Sequence, residues 1–204
     1  MILKICGITN QDDASAAIEA GANAVGFNFY APSPRYLSPE KAAEIVTADG
    51  VRRVGVFVNE KRERVEEIVR VARLDVAQLH GDETSGDYPA VAPVWKAIRI
   101  RPELGLAQLR QHDLDPSEAL LLDGPASGVP FLWSAAKIVW LTLRRPHHIV
   151  LAGGLDSSNV AEAIAVLHPW GVDACSRIES APGKKDRKKM TEFLLAAMAA
   201  AVHV

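Results

Sequence analysis

Cys6 closes the short run Leu3-Lys4-Ile5-Cys6, and Gly7 follows it at once. Read as a strand, the run sends alternate side chains to opposite faces, so Lys4 and Cys6 share one face and Leu3 and Ile5 the other. A cation beside a thiol favours the thiolate, the form that accepts a proton or attacks carbon. The plain alternative is that Cys6 packs as a small buried hydrophobe. Asp123 ends the run Leu120-Leu121-Leu122-Asp123, where it either caps the following turn or sits as a desolvated carboxyl. His80 shares a face with Gln78 at the end of "VAQLH", as a rim histidine or a ligand contact, and Asp173 shares one with Cys175 in "VDACS". Gly153 and Gly154 in "LAGGLDSSN" bring backbone N–H groups and a capped helix start together, and Ser176 and Arg177 follow the last strand in "CSRIES". Such groups suit an anion, although two glycines can also be only a tight turn. Cys6 and Cys175 stand far apart without second-ligand spacing, which indicates neither a metal site nor a disulfide framework.

Positioning these groups falls to an alternation of short apolar runs and amphipathic helical stretches that continues to the end of the chain. Strands are expected at 3–6, 24–29, 54–58, 76–80, 95–100, 119–123, 148–153 and 172–176. Between them lie helical patterns at 11–21, with an acidic first turn and a closing glycine, at 38–48, with Ser38 as cap and Pro39 just inside, and at 65–73. Eight βα units within 204 residues predict an α/β fold, a single-domain (β/α)8 TIM barrel spanning 1–204. An open doubly wound sheet would ordinarily carry a Gly-rich dinucleotide loop after its first strand, and "CGITNQDD" is not one. The outer face of a barrel strand must be apolar to meet the helices, so Lys4, Cys6, Gln78, His80, Asp173 and Cys175 are expected to point inward. Cys6, His80, Asp123, Gly153 and Ser176 then stand at the C-terminal strand ends, where such barrels place their chemistry, with a phosphate site between the last two βα loops.

With 49% hydrophobic and 24% charged residues the chain can bury a full core. A net charge of −2 offers no global attraction to nucleic acid, and the basic run "GKKDRKK" reads as a solvated helix start. No segment reaches the ~18 apolar residues of a membrane span, and Met1 stands too close to the first strand to leave room for a leader. A cytoplasmic protein without membrane or nucleic-acid partners is expected.

Seven motifs in order, "KICGIT" at 4–9, "SPRY" at 33–36, "GVFVN" at 55–59, "QLHGDE" at 78–83, "LLLD" at 120–123, "LAGGL" at 151–155 and "ESAPGKKD" at 179–186, resemble the phosphoribosylanthranilate isomerase family of tryptophan biosynthesis. The resemblance covers essentially the whole chain. It implies an Amadori rearrangement of N-(5-phosphoribosyl)anthranilate on a barrel without cofactor or metal, with Cys6 as general base and Asp123 as general acid. On that implication Asp123 needs apolar surroundings that keep it protonated, and Cys6 needs Lys4 to keep it ionised. Arg35 would hold the anthranilate carboxylate, His80 and Asp173 would line the pocket, and Gly153, Gly154 and Ser176 would hold the phosphate. The partner is thus a small phosphorylated aminosugar, bound by a monomer or a homodimer. Relatives usually have glycine at Ala126, aspartate at Leu132, serine at Cys175 and glycine at Arg177. Arg177 is expected to contact phosphate, the alternative being an exposed pair with Glu179 worth about 0 to 1 kcal/mol. Barrel closure makes the first and last strands neighbours ~4.8 Å apart, which brings Cys6 and Cys175 within disulfide range. The sister isomerase of histidine biosynthesis uses two aspartates and would not open with "KICG", while a non-catalytic phosphate-binding barrel would leave Cys6 and Asp123 idle.

Overall fold

Apolar alternation along the eight short runs has one outcome in the computed structural model, which describes residues 1–100, 116–125, 128 and 148–202: the runs pair in parallel and close on themselves. The strands are β1 Ile2–Cys6, β2 Ala24–Asn28, β3 Arg52–Phe57, β4 Val76–Leu79, β5 Val94–Arg99, β6 Ala119–Asp123, β7 His148–Leu151 and β8 Gly171–Ala174. Each pairs with the next, and β8 returns to β1. The fold is a single-domain (β/α)8 barrel.

Parity follows the expected alternation. Leu3, Ile5, Val25, Phe27, Leu120 and Leu122 join the large outer core under the helices, whereas Ala24, Val54, Val76, Trp95, Leu121 and Val150 fill the lumen. Continuing those inward rows toward the C-terminal ends gives Cys6, Gln78, Arg99, Asp123 and Asp173, so one period-2 rule fills the barrel and aims its polar rim.

The described helices are α1 Gln11–Glu19, α2 Pro39–Glu44, α3 Arg62–Val71, α4 Val160–Leu167 and α5 Arg187–Ala201. Asn10 caps α1 by accepting from the Asp13 N–H, and Ser38 caps α2 by accepting from the Lys41 N–H. The pattern at 38–48 overreaches, because α2 stops at Glu44. Buried Arg53 takes the Ala42 and Ile45 carbonyls with Nη2 and Nη1 at 2.6 and 2.7 Å, and Gln11 Oε1 takes the Val46 N–H at 2.7 Å. Groups that would continue the helix are thereby spent elsewhere. A second correction concerns "GKKDRKK". Lys184–Lys185 form β10, antiparallel to β9 Glu179–Ala181, and Lys185 is buried; only from Asp186, which caps α5, does the run behave as a helix start.

Candidate active site

The base candidate is built by two adjacent strands. Lys4 on β1 and Asp173 on β8 are register partners, and the wholly buried Lys4 Nζ donates to Asp173 Oδ2 at 2.9 Å. Carrying that register on past Ile5 and Ala174 sets Cys6 beside Cys175. On the other flank Gly26 of β2 pairs with Cys6, and a Cβ there would come within 2.8 Å of Cys6 Sγ and 3.2 Å of Lys4 Cε. Gly7 turns with φ +74°, and a Cβ on it would meet Arg35 Cδ at 2.7 Å and Cys175 Sγ at 3.0 Å, so the residue after Cys6 must lack a side chain.

Electrostatics follow from this packing. A hydrogen bond from the Cys175 thiol holds Cys6 well below the ordinary thiol value; burial opposes this, and the charge and hydrogen bond of Lys4 reinforce it. Cys175 is correspondingly pushed up, by its bond to Cys6 and by burial, and stays a donor. Burial works against the charge on Lys4, but the Asp173 and Cys6 anions override it and keep the ammonium. Burial pushes the Asp173 carboxyl up to about 7 against the pull of Lys4. Asp173 lines the same cavity, and its buried Oδ1 has no hydrogen-bond partner among the described residues.

Across the rim, Asp123 ends β6. Its surroundings are not the apolar ones expected: Oδ1 accepts from the Gly124 N–H at 2.8 Å, and Oδ2 lies 3.0 Å from His80 Nε2. The leucines before it are buried, yet the carboxyl reaches past them into the cavity. Gly153 has φ +83°, and a Cβ on it would stand 2.2 Å from Gly124 N and 3.1 Å from Asp123 Oδ1. It therefore lets the loop after β7 close onto the acid candidate as well as facing the cavity.

Cys6, Arg35, His80, Asp123, Gly153, Gly154, Asp173, Ser176 and Arg177 all line one cavity of about 640 Å³ at the C-terminal strand ends, a size suited to a small ligand. Arg35 is not free. Its Nε and Nη2 grip Glu179 at 2.9 and 2.7 Å, and Lys185 Nζ donates to the same carboxylate at 2.8 Å. Arg177 pairs with Asp156, through Nε at 2.6 Å, and not with Glu179. It lies in the short 3-10 turn Ser176–Ile178 and is not among the residues of positive φ, so arginine sits there without backbone strain. Gly128 approaches the same turn, its Cβ position 3.0 Å from Ser176 Oγ. Ala126 and Leu132 lie outside the described residues. No group of three or more His, Cys, Asp or Glu side chains that could hold a metal occurs among the described residues.

Comparison with known proteins gives this cavity its context. The family description "N-(5'phosphoribosyl)anthranilate (PRA) isomerase" matches residues 3–196. The chain belongs to that family. An N-(5'-phosphoribosyl)anthranilate isomerase of Solibacter usitatus is 61% identical over 206 residues, covering 98% of each chain. A phosphoribosyl anthranilate isomerase crystallised with reduced 1-(o-carboxyphenylamino)-1-deoxyribulose 5-phosphate superimposes with a TM-score of 0.86 at 37% identity, covering 98% of this chain and 100% of that one. Monomers generated from the dimeric enzyme of Thermotoga maritima give 0.84 at 37% identity, with the same coverage.

Family membership does not by itself reveal four residues that shape the site here: Cys175, Glu179, Lys185 and Asp156. Cys175 had a signal, its shared parity with Asp173 on β8, whereas its bond to Cys6 needs the closed seam between first and last strands. Glu179 and Lys185 belong to the quoted "ESAPGKKD" motif, but only the folded β9–β10 hairpin shows that Glu179 meets Arg35 and that Lys185 meets Glu179. Asp156 carried no chemical signal, being readable as the start of a helix cap.

Proposed function

We propose that Cys6 and Asp123 are the base and the acid with which this barrel, acting as one domain over 1–204, carries out the Amadori rearrangement. The reaction takes N-(5-phosphoribosyl)anthranilate to 1-(2-carboxyphenylamino)-1-deoxyribulose 5-phosphate in L-tryptophan biosynthesis. The observation that carries the assignment is a buried thiol set beside Cys175 and Lys4, which hold it below the ordinary thiol value, in one cavity with a carboxyl at the end of β6. Asp123 gives its proton to the ring oxygen as the C1–O bond breaks, and the nitrogen lone pair closes a C1=N iminium. The positive charge makes the C2 proton acidic. Cys6 removes it, the released electron pair forms C1=C2 and neutralises the nitrogen, and the enolamine tautomerises to the ketone. Asp173, which lines the cavity, suits a sugar hydroxyl. Since Glu179 occupies the Nε side of Arg35, the anthranilate carboxylate is received end-on by Nη1 and the remaining Nη2 hydrogen. Gly153, Gly154, Ser176 and Arg177 take the phosphate.

Among the described residues no helix is long and apolar enough to cross a membrane. We place the protein in the cytoplasm, as a monomer or homodimer, without nucleic-acid or membrane partners. Turnover followed by anthranilate fluorescence tests the assignment: Cys6→Ser and Asp123→Asn should each lose at least ~10²-fold in kcat with unchanged circular dichroism. Near wild-type kcat in either folded variant would remove that residue from its role.

A further inference from the structure

Two features of the cavity are not used by that chemistry: a buried glutamine with a stranded oxygen, and a histidine joined to the acid. Gln78 on β4 is 1% exposed, and its Oε1 has no hydrogen-bond partner among the described residues. Its Nε2 lies 3.2 Å from His80 Nδ1, and His80 Nε2 lies 3.0 Å from Asp123 Oδ2, so three side chains form a line from the barrel interior to the acid. A neutral imidazole has one donor and one acceptor. With the Gln78 N–H donating to Nδ1, the imidazole proton must sit on Nε2 and be donated to an ionised Asp123. With the amide turned over, Oε1 accepts from an Nδ1–H, and Nε2 is left to accept the proton of a neutral Asp123. The heavy atoms occupy the same places in both cases. The second arrangement holds one proton more than the first, so the amide turns as the pair gains the proton that Asp123 donates.

The reaction as balanced above makes this matter. It leaves Asp123 without its proton and Cys6 with an extra one, and Asp123 must be a carboxylic acid again before the next sugar ring can open. We propose that the acid of the reaction is the hydrogen-bonded His80–Asp123 pair sharing one proton between Nε2 and Oδ2, and that Gln78 is a positioning residue whose amide oxygen, accepting from Nδ1–H, favours the form of the pair in which Asp123 carries the proton it donates. The inference rests on Asp123 being the acid. Restoring the pair takes one proton from water onto the imidazole, giving an imidazolium whose Nδ1–H is accepted by Gln78 Oε1. The Nε2 proton then passes to the Asp123 carboxylate and leaves a neutral imidazole. Nothing is oxidised or reduced, and one solvent proton replaces the one donated to substrate. Other groups face the pair: Arg99, register partner of Asp123 on β5, Cys6 and Asp173 on β1 and β8, and Arg35 and Arg177 nearer the loops. These groups set the background charge, but among the described residues only Gln78 is within hydrogen-bond distance of Nδ1.

Steady-state rates with N-(5-phosphoribosyl)anthranilate across the pH range test this on the intact protein, because the basic limb of kcat/KM reports loss of the shared proton from the pair. Gln78→Glu keeps the acceptor toward Nδ1 and adds negative charge, so the basic limb should move to higher pH by about one unit. Gln78→Met keeps the shape and removes the acceptor, so the limb should move the other way, with kcat at neutral pH down at least ~10-fold and KM changed less than ~2-fold. Rate losses in both variants with limbs where the wild type has them would reduce Gln78 to packing and overturn the proposal. Failure of the underlying reading looks different: it would be an active Asp123→Asn enzyme, whatever the Gln78 variants do.

Discussion

Arg177 shows how a substitution changes meaning once its neighbours are known. Read alone, an arginine at a position where relatives have glycine is either a phosphate ligand or an exposed pair with Glu179. Glu179 is committed to Arg35 and Lys185, and Arg177 instead meets Asp156 across the last two loops. Ser158 and Arg177 together keep the Asp156 carboxyl ionised against partial burial. The pair fixes the guanidinium at the cavity mouth and offsets part of its charge, which leaves a directed donor for a phosphate oxygen. Arg177→Ala should therefore raise KM for the phosphorylated substrate severalfold, more steeply at low salt, with a nearly unchanged thermal midpoint. An unaltered KM at low ionic strength would return Arg177 to the surface.

Among the elements, strands were the most legible and the seams between distant ones the least. Runs such as "ALLLD" and "VGVFV" are apolar on both faces or alternate cleanly, because a barrel strand is buried on both sides, and their observed limits differ from the expected ones by a residue or two. Inward parity at Lys4, Cys6 and Asp173 was legible for the same reason. The end of α2 was not, because Arg53 and Gln11 take its carbonyl and amide groups from other parts of the chain. The apolar setting expected for Asp123 failed similarly: three leucines precede it in sequence, but His80 arrives from β4, two strands away. The β1–β8 seam has a testable consequence. Cys6 and Cys175 are both free thiols, one ending β1 and the other directly following β8, and adjacent strands lie ~4.8 Å apart, within the reach of a disulfide. Mild hydrogen peroxide should join them, two thiols giving up two electrons and two protons as peroxide becomes water, and a reductant should restore activity. Two free thiols persisting in the inactivated protein would exclude the bridge, and Cys175→Ser should lose the reversible component.

For the molecule as a whole, the inward cluster makes stability depend on pH through two groups of opposite sign. Burial holds the Asp173 carboxyl up at about 7, far above the ~3.9 of an unfolded aspartate, so its contribution is full below that lower value and is lost as pH rises through 7. Cys6 is held below the ~8.5 of an unfolded thiol, so its contribution grows as pH rises toward that value and is lost as pH falls through the folded value. In the wild type the slopes oppose each other. Single variants should expose them: between about pH 5 and pH 8, unfolding free energy from guanidinium titration should fall with pH in Cys6→Ser and rise with pH in Asp173→Asn. Glu83, Glu179 and Asp156 are held below their ordinary values and act only in acid below that window. Parallel curves for the two variants would show that neither group carries the dependence.

Lys4 and Asp173 lie 169 residues apart in the chain, and Cys175 follows Asp173 just past the end of the final strand. On a ribosome the base is therefore among the first residues made, and Cys175 and Lys185, two of the groups that hold it low, are among the last. Until β8 docks against β1, the Cys175 thiol is not there to donate to Cys6 and the Lys185 ammonium is not yet near it, so Cys6 remains closer to an ordinary thiol. Its reactivity toward an alkylating reagent in mild acid thus keeps time for the final event of folding, and a half-made barrel carries little of the nucleophile that the completed one conceals.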